Sequence, residues 1–282
     1  MNKNGFSNGY VIGIVAIFVI VGVSSLLVFQ KKKISSPLSS PSSSSSDRLY
    51  ETEVPKKVTV PQSAETPRIG SEDKPPVIKN LGIMLDTPNT QTQRAGDLLF
   101  DRKVVWKDDG SFSDKAFGEF GELGKRRDAP NFPSVEYNFA VPIGTKVYAA
   151  GDGIARIFYI KHSEDWGVNI QPKVGSKWNI GQEHMINLLV KEGDVIKAGT
   201  ILGEATPNRM GYATTQLAVW TGGRDGIIKY CPFSFLEDNL KRDYKVILER
   251  IAEDWEKYIV QDVYRQENWV APGCSLDKIQ ER

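Results

Sequence analysis

The feature that most constrains the fold of this chain is a phrase that occurs twice. Residues 141–153 read VPIGTKVYAAGDG, and residues 190–203 read VKEGDVIKAGTILG. In each copy a glycine turn precedes a short β-branched or aromatic stretch, and an alanine and a second glycine turn follow. Such residues favour a half-buried sheet surface, and glycine supplies the positive φ of tight turns. The duplication predicts a mainly β fold, in which two similar units form a small sandwich or flattened barrel.

The N-terminal quarter of the chain is of a different kind. Residues 10–29 carry no charge, and at ~1.5 Å per residue they can span a hydrocarbon core of ~30 Å. No small-residue cleavage signature closes the run, so we expect an uncleaved transmembrane helix after a short tail, residues 1–9. Residues 30–79 are rich in Ser and Pro and offer no apolar face to bury, which predicts a disordered linker.

Three short elements surround the two copies of the phrase and decide which kind of domain they belong to. Residues 134–138 read SVEYN, residues 183–190 read EHMINLLV, and residues 215–220 read TQLAVW. Together they resemble the lysostaphin-type (LytM-group) zinc peptidases. That family has a His-x-x-x-Asp pair before the first phrase, a Tyr-x-His-Leu-like segment before the second, and a closing His-x-His strand. The resemblance covers residues 130–222, and residues 80–129 form a lead-in segment before it.

The resemblance implies a zinc site whose ligands are missing from this chain. The positions of the three zinc ligands hold Ser134, Asn138 and Ala218, and the second active-site histidine is replaced by Gln216. Only His184 stands where the family has a catalytic histidine. Alanine cannot coordinate a metal, and neutral Ser and Asn oxygens are poor zinc donors beside imidazole and carboxylate. We therefore expect a pseudoenzyme without zinc or any other cofactor, in which His184 is vestigial.

One other arrangement of polar residues could supply a metal site. The chain contains only two histidines, and both lie near acidic residues in the sequence. If the correspondence with the family were displaced, a different site could be built from His162, Glu164, Asp165, Glu183 and His184. A polar cluster of this kind is more often a solvated turn, so the sequence favours the first interpretation.

The C-terminal region, residues 223–282, has helical rather than strand periodicity. Apolar and aromatic residues recur at helical spacing across residues 240–259, which predicts a long helix with one face docked on the core. The two cysteines, Cys231 and Cys274, flank this helix. After a helix of ~30 Å the remaining chain is long enough to double back, so a disulfide is possible. Two free buried thiols are the alternative.

These features together predict a single-pass membrane protein that binds cell-wall peptidoglycan, or regulates a wall hydrolase, without cleaving it. The resemblance to bacterial wall peptidases places the domain outside the cytoplasm, although Lys31, Lys32 and Lys33 after the apolar run favour the opposite orientation. An active zinc endopeptidase and a structural envelope-assembly protein are the alternatives. The net charge of +1 gives no indication of a nucleic-acid partner.

Overall fold

The computed structural model describes residues 73–102, 114–125, 130–223 and 226–281. All of them lie within the unit Pro67–Arg282. The predicted transmembrane helix, the N-terminal tail and most of the predicted linker lie outside these residues. Within the described ranges, no helix is both long and apolar enough to cross a bilayer.

The described residues form a mainly β structure with one long C-terminal helix, α1, as the sequence predicts. The strands are β1 (Arg94–Ala95), β2 (Leu98–Leu99), β3 (Phe117–Gly118), β4 (Leu123–Lys125), β5 (Pro130–Pro133), β6 (Tyr137–Val141), β7 (Lys146–Tyr148), β8 (Gly153–Ile160), β9 (Asp165–Gln171), β10 (Trp178–Ile186), β11 (Val195–Ile196), β12 (Ile201–Pro207), β13 (Ala213–Gly223), β14 (Gly226–Tyr230) and β15 (Lys278–Glu281).

The longest strand, β13, organises the main sheet. Along one edge it pairs antiparallel with β6 and then with β14, and along the other edge with β12 and then with β10. The sheet continues from β10 through β9 and β8 to β11, and from β14 to β15. Because β13 has neighbours on both edges along its length, the side chains of four other strands lie beside it.

The two copies of the repeated phrase interlock. Strand β7 of the first copy pairs with β12, which closes the second copy, and β11 of the second copy pairs with β8, which follows the first. The leading glycines, Gly144 and Gly193, have φ values of 86° and 84°, as the predicted turns require. Each copy therefore supplies a strand that pairs with a strand at the end of the other.

Alternation along β13 separates the core from a second, more polar face. Leu217 and Val219 are fully buried and belong to the hydrophobic core, where β6 contributes Tyr137 and Phe139. Residues between them in sequence point to the other face because successive side chains of a strand alternate. Asn138, Gln216 and Ala218 fall on that second face.

The predicted C-terminal helix is present as α1, Asp238–Ile259. The buried residues of this helix recur mainly every three or four positions, as in other amphipathic helices. Trp255 packs edge-on against Phe100 of the lead-in segment, with the ring centroids 5.1 Å apart. The helix ends where Val260 adopts a left-handed conformation (φ 59°). The aromatic stripe therefore docks on the core, as predicted.

The structure joins Cys231 and Cys274 in a disulfide across α1, with their Cα atoms 5.9 Å apart. Both cysteines are fully buried. The hydroxyl of Tyr137 donates a hydrogen bond of 2.6 Å to the carbonyl of Pro272 and lies 3.1 Å from the sulfur of Cys274. Since Tyr137 precedes Asn138 on β6, the disulfide anchors the C-terminal segment directly behind the candidate site.

A buried ionic group connects the lead-in segment with the C-terminal segment. The ammonium of Lys115 contacts the carboxylates of Glu119 and Glu122, the latter at 2.8 Å, and the indole N–H of Trp269 donates to Glu119. Lys115 and Glu119 are 5% and 2% exposed. Burial raises the pKa of Glu119 from 4.5 to about 7, despite the nearby Lys115.

This pKa predicts a pH dependence of stability. The folded state holds the proton of Glu119 more tightly than the unfolded chain, so the contribution is fully present below pH 4.5 and is lost as the pH rises through about 7. The shift corresponds to about 3 kcal/mol of unfolding free energy. Glu119→Gln should remove this loss between pH 4.5 and 7, as measured by urea unfolding at a series of pH values.

Glu122→Gln is the matched control, because it removes the other carboxylate that contacts Lys115. It should keep the loss of stability with rising pH. Equal slopes for the wild type and Glu119→Gln would contradict the assignment of the pH dependence to Glu119.

Candidate functional site

Three of the predicted site residues form a connected polar cluster on the second face of the sheet. Asn138 on β6 is directly opposite Gln216 on β13 in the antiparallel ladder, and the Gln216 amide N–H donates to the Asn138 amide oxygen. The Asn138 amide N–H in turn points at the Ser134 hydroxyl, 3.5 Å away, and at the Glu136 carbonyl, 3.3 Å away. Ser134 donates to the same carbonyl at 3.1 Å. We call Ser134, Asn138 and Gln216 the amide cluster.

Ala218 lies two residues beyond Gln216 on β13 and therefore on the same face. It is 1% exposed and stands opposite Gly181 of β10, so neither partner carries a polar side chain. The indole of Trp220, two residues further along, lies over Gly181: a Cβ added there would be 3.3 Å from the indole nitrogen. Ala218, expected from the resemblance to stand at the third ligand position, is thus a buried methyl group beside the amide cluster, and the amide oxygen of Asn169 also lies near Gly181.

His184 lies on the adjacent strand but makes different contacts. The pairing of β10 with β9 shifts register between Gln182 and Met185, and His184 within this bulge has a φ of 61°. Its Nδ1 lies 2.8 Å from a carboxylate oxygen of Asp165, which is fully buried. The other oxygen of that carboxylate accepts a bond of 2.6 Å from the Ser163 hydroxyl. The contact with Asp165, the first residue of the neighbouring strand β9, fixes the orientation of the imidazole.

The residues of the alternative metal site come together only in part. The rings of His162 and His184 have centroids 6.4 Å apart, and Asp165 bonds to His184. Within the described ranges, however, no group of three or more His, Cys, Asp or Glu side chains is arranged to hold a metal ion. The arrangement is that of a histidine oriented by a buried carboxylate.

The amide cluster does not fit a zinc ion. Zinc in proteins takes thiolate, imidazole or carboxylate ligands, whereas the cluster offers one hydroxyl and two amides, and the neighbouring Ala218 offers only a methyl group. The hydroxyl and amide groups also satisfy one another and the backbone, so binding a metal would break bonds that already exist. This face instead carries neutral hydrogen-bonding groups, of which Asn138 is 2% exposed and Gln216 is partly exposed.

The lead-in segment borders the amide cluster, a contact that the sequence does not predict. Strand β3 pairs with β6 so that Gly118 stands opposite Asn138. On the second face, Leu99 of β2 packs against Ala140 and Tyr212. No motif in residues 80–129 announces this role, because the pairing of two-residue strands depends on backbone geometry rather than on a side-chain pattern.

Comparison with known proteins gives structural similarity alone. No family model matches this chain, and no curated protein matches it either. Among solved structures, it is similar to a mutant catalytic domain of the prophage-encoded M23 protein EnpA from Enterococcus faecalis, with 21% identity over 44% of this chain and 95% of that one, and a TM-score of 0.33. The chain resembles domains of the M23 type.

Two further structures show the range of the similarity. LytU is 24% identical over 43% of this chain and 81% of that one, with a TM-score of 0.31. Csd3 from Helicobacter pylori is 14% identical over 71% of this chain and 48% of that one, also with a TM-score of 0.31. At these identities and scores the likeness concerns the β fold, and the roles of individual residues rest on the contacts described above.

Proposed function

We propose that this chain is a membrane-anchored protein whose β domain binds the peptide part of cell-wall peptidoglycan without cleaving it. The observation that carries the proposal is the amide cluster. Asn138 and Gln216 stand opposite each other on β6 and β13, and Ser134 lies in the loop before β6. The resembling family has active-site residues at these positions, yet here they hold neutral groups that bond to one another. In this proposal the cluster takes the place of the family's peptide-binding cleft, while the groups that would hold zinc and activate water are replaced.

The contacts of His184 favour binding over catalysis. Asp165 holds its Nδ1, so the other ring nitrogen is the one available to a ligand. A single oriented imidazole can donate or accept a hydrogen bond, but without a metal or a second general acid it has no partner for peptide hydrolysis. We assign His184 to ligand recognition at the edge of the cleft.

The proposed location is outside the cytoplasm, with residues 10–29 as the anchor and the residues after them as a tether. The disulfide between Cys231 and Cys274 supports this orientation, because disulfides persist in oxidising compartments. The three lysines that follow the apolar run favour the opposite orientation. Alkylation of Cys231 and Cys274 after intact cells are denatured directly in the thiol reagent, with and without prior reduction, tests the orientation: the two thiols should react only after reduction.

Sedimentation with insoluble cell wall tests the proposed function. A fragment from Pro67 to the C-terminus should sediment with purified wall and release no new amino groups from it. Gln216→Ala removes a donor from the amide cluster and should weaken sedimentation about fivefold, the effect of one net hydrogen bond. Gln261→Ala, at an exposed glutamine after α1, is the matched control and should bind like the wild type.

The outcomes separate the proposal from its rivals. Release of amino groups that a chelator stops would establish the zinc endopeptidase instead. A fragment that folds but stays in the supernatant would exclude wall binding and favour the structural assembly role.

A further inference from the structure

The side chain of Glu183 lies beside the amide cluster on the second face of the sheet. Glu183 on β10 stands directly opposite Gln216 of β13, and side chains at such positions have their Cβ atoms ~5 Å apart. The preceding Gln182 is 1% exposed and points into the core, so Glu183 points to the other face. The Gln216 amide donates its N–H to Asn138, and its oxygen can accept a hydrogen bond as well. Two acceptors, one of them charged, therefore lie on opposed residues.

The Glu183 carboxylate is unpaired and accessible. It makes no hydrogen bond or ion pair in the described part of the chain. The carboxylate of Asp165, by contrast, is fully buried and bonds to His184. Among the described residues, the shielded side-chain polar atoms without a partner belong to Arg94, Glu122 and Thr206. Since Glu183 is partly exposed and is not one of these, a ligand can reach its oxygens.

The backbone of Glu183 is held in a β-bulge. The register shift between β10 and β9 sets two residues, Glu183 and His184, opposite Gly167 alone. The positive φ of His184 is a conformation that residues other than glycine rarely adopt. The Thr215 hydroxyl donates a bond of 3.0 Å to the Glu183 carbonyl and fixes the start of the bulge. Bulges often redirect a side chain next to a functional site, and this one places Glu183 at the amide cluster.

An aromatic ring forms an apolar wall next to the bulge. Phe158 of β8 pairs with Gly167, and a Cβ added to that glycine would clash with the ring. The ring therefore lies across Gly167, on the same face as Glu183, and it is partly exposed. An apolar wall beside a carboxylate suits a cation that is carried on an aliphatic chain, because the chain can pack on the ring.

We propose that Glu183 and Gln216 bind the ammonium group of a peptide side chain, with Phe158 against the aliphatic chain that carries it. An ammonium has three N–H donors and no acceptor, so it complements a carboxylate and an amide oxygen. One carboxylate and one amide oxygen supply too few ligands for a divalent metal ion. The assignment rests on the proposed function and specifies what the protein recognises: a wall peptide with a free side-chain amine.

Sedimentation with acetylated cell wall tests the assignment. Purified wall is compared before and after its free amino groups are blocked with acetic anhydride, which removes their charge. The full-length protein in detergent micelles should bind the acetylated wall about tenfold more weakly, the effect of one charge-assisted hydrogen bond. Glu183→Gln keeps an acceptor but removes the charge, and it should bind both walls equally. Glu164→Gln, at an exposed glutamate in the turn before β9, is the matched control and should retain the difference.

Two peptides distinguish a side-chain amine from an α-amine. An Ala-Lys-Ala amide with a blocked N-terminus has only the side-chain amine, and an Ala-Ala-Ala amide has only the α-amine. Each is compared by titration calorimetry with the same peptide after acetylation of that amine. The lysine peptide should bind about tenfold more tightly than its acetylated form, and the alanine peptide should show no such difference. A difference confined to the α-amine would overturn the assignment to a side chain.

Equal binding of both walls by the wild type, or a difference that survives Glu183→Gln, would overturn the ammonium site and leave wall binding intact. An unchanged circular dichroism spectrum checks the fold of Glu183→Gln, and Glu183→Asp, which keeps the charge, should retain part of the difference. A wild type that sediments with neither wall contradicts the wall-binding function. The lysine peptide then decides the ammonium site alone, and equal binding of its two forms overturns it.

Discussion

The triple variant Ser134→His, Asn138→Asp and Ala218→His should bind about one zinc per chain under conditions in which the wild type binds none. Asn138 and Gln216 are opposite each other on adjacent strands, Ser134 is within 3.5 Å of Asn138, and Ala218 shares their face. Two imidazoles and a carboxylate there match a catalytic zinc site with an open fourth position. At zinc concentrations about a hundredfold above Kd, the metal should add about 2.7 kcal/mol to the stability of the variant.

The new side chains should lower the stability of the metal-free protein, and this loss must be measured separately from zinc binding. Ala218 is 1% exposed and Trp220 lies over the neighbouring Gly181, so a histidine at position 218 should destabilise the apo protein by about 1–3 kcal/mol. The double variant Ser134→His and Asn138→Asp is the matched control, because it has two ligands and leaves the buried alanine. It should bind zinc far more weakly. A folded triple variant that binds zinc no better than the double variant would show that the three positions do not converge.

Removal of the disulfide should have the largest effect on stability. The bond between Cys231 and Cys274 closes a loop with a sequence separation of 43 residues, for which the loop-entropy relation gives about 4 kcal/mol. Both positions are fully buried, so Cys231→Ala with Cys274→Ala is preferable to serine, whose hydroxyl would lack a partner. Guanidinium unfolding of the Pro67 fragment, followed by tryptophan fluorescence, measures the difference.

Two comparisons isolate the contribution of the covalent bond. The wild type unfolded in the presence of a reducing agent should match the double alanine variant to within about 1 kcal/mol, since both lack the crosslink. Tyr137→Phe removes only the hydroxyl that contacts Pro272 and Cys274, and it should cost about 1 kcal/mol. If the oxidised wild type and the alanine variant unfold at the same denaturant concentration, the disulfide does not contribute to the stability of this domain.

The sequence contains the information for the local elements of this fold. Gly144 and Gly193 mark turns that require positive φ, and both turns are present. The helical spacing of aromatic residues predicts α1 and its buried side. The alternation of Leu217 and Val219 also predicts which face of β13 belongs to the core, and hence that Gln216 and Ala218 lie together on the other face. These signals are readable because each depends on residues close together in the chain.

Features that depend on distant segments could not be predicted in the same way. Strand β7 of the first copy pairs with β12, and β11 of the second copy pairs with β8. These pairings join segments that are distant in the sequence, and no side chain in β7 or β11 specifies its partner strand. The register shift near His184 directs that residue to Asp165 rather than to the amide cluster. The lead-in segment packs beside β6, with Leu99 against Ala140 and Tyr212, and no periodic or motif signal in the sequence predicts that contact.

The zinc content of the wild-type protein tests the central claim most directly. The amide cluster offers no ligand set for zinc, and its donors and acceptors are engaged with one another. Elemental analysis of the Pro67 fragment, purified without chelators, incubated with a slight excess of zinc and then desalted, should therefore give well below one zinc per chain. About one tightly held zinc per chain would contradict the account, because it would require a metal site that the proposal excludes.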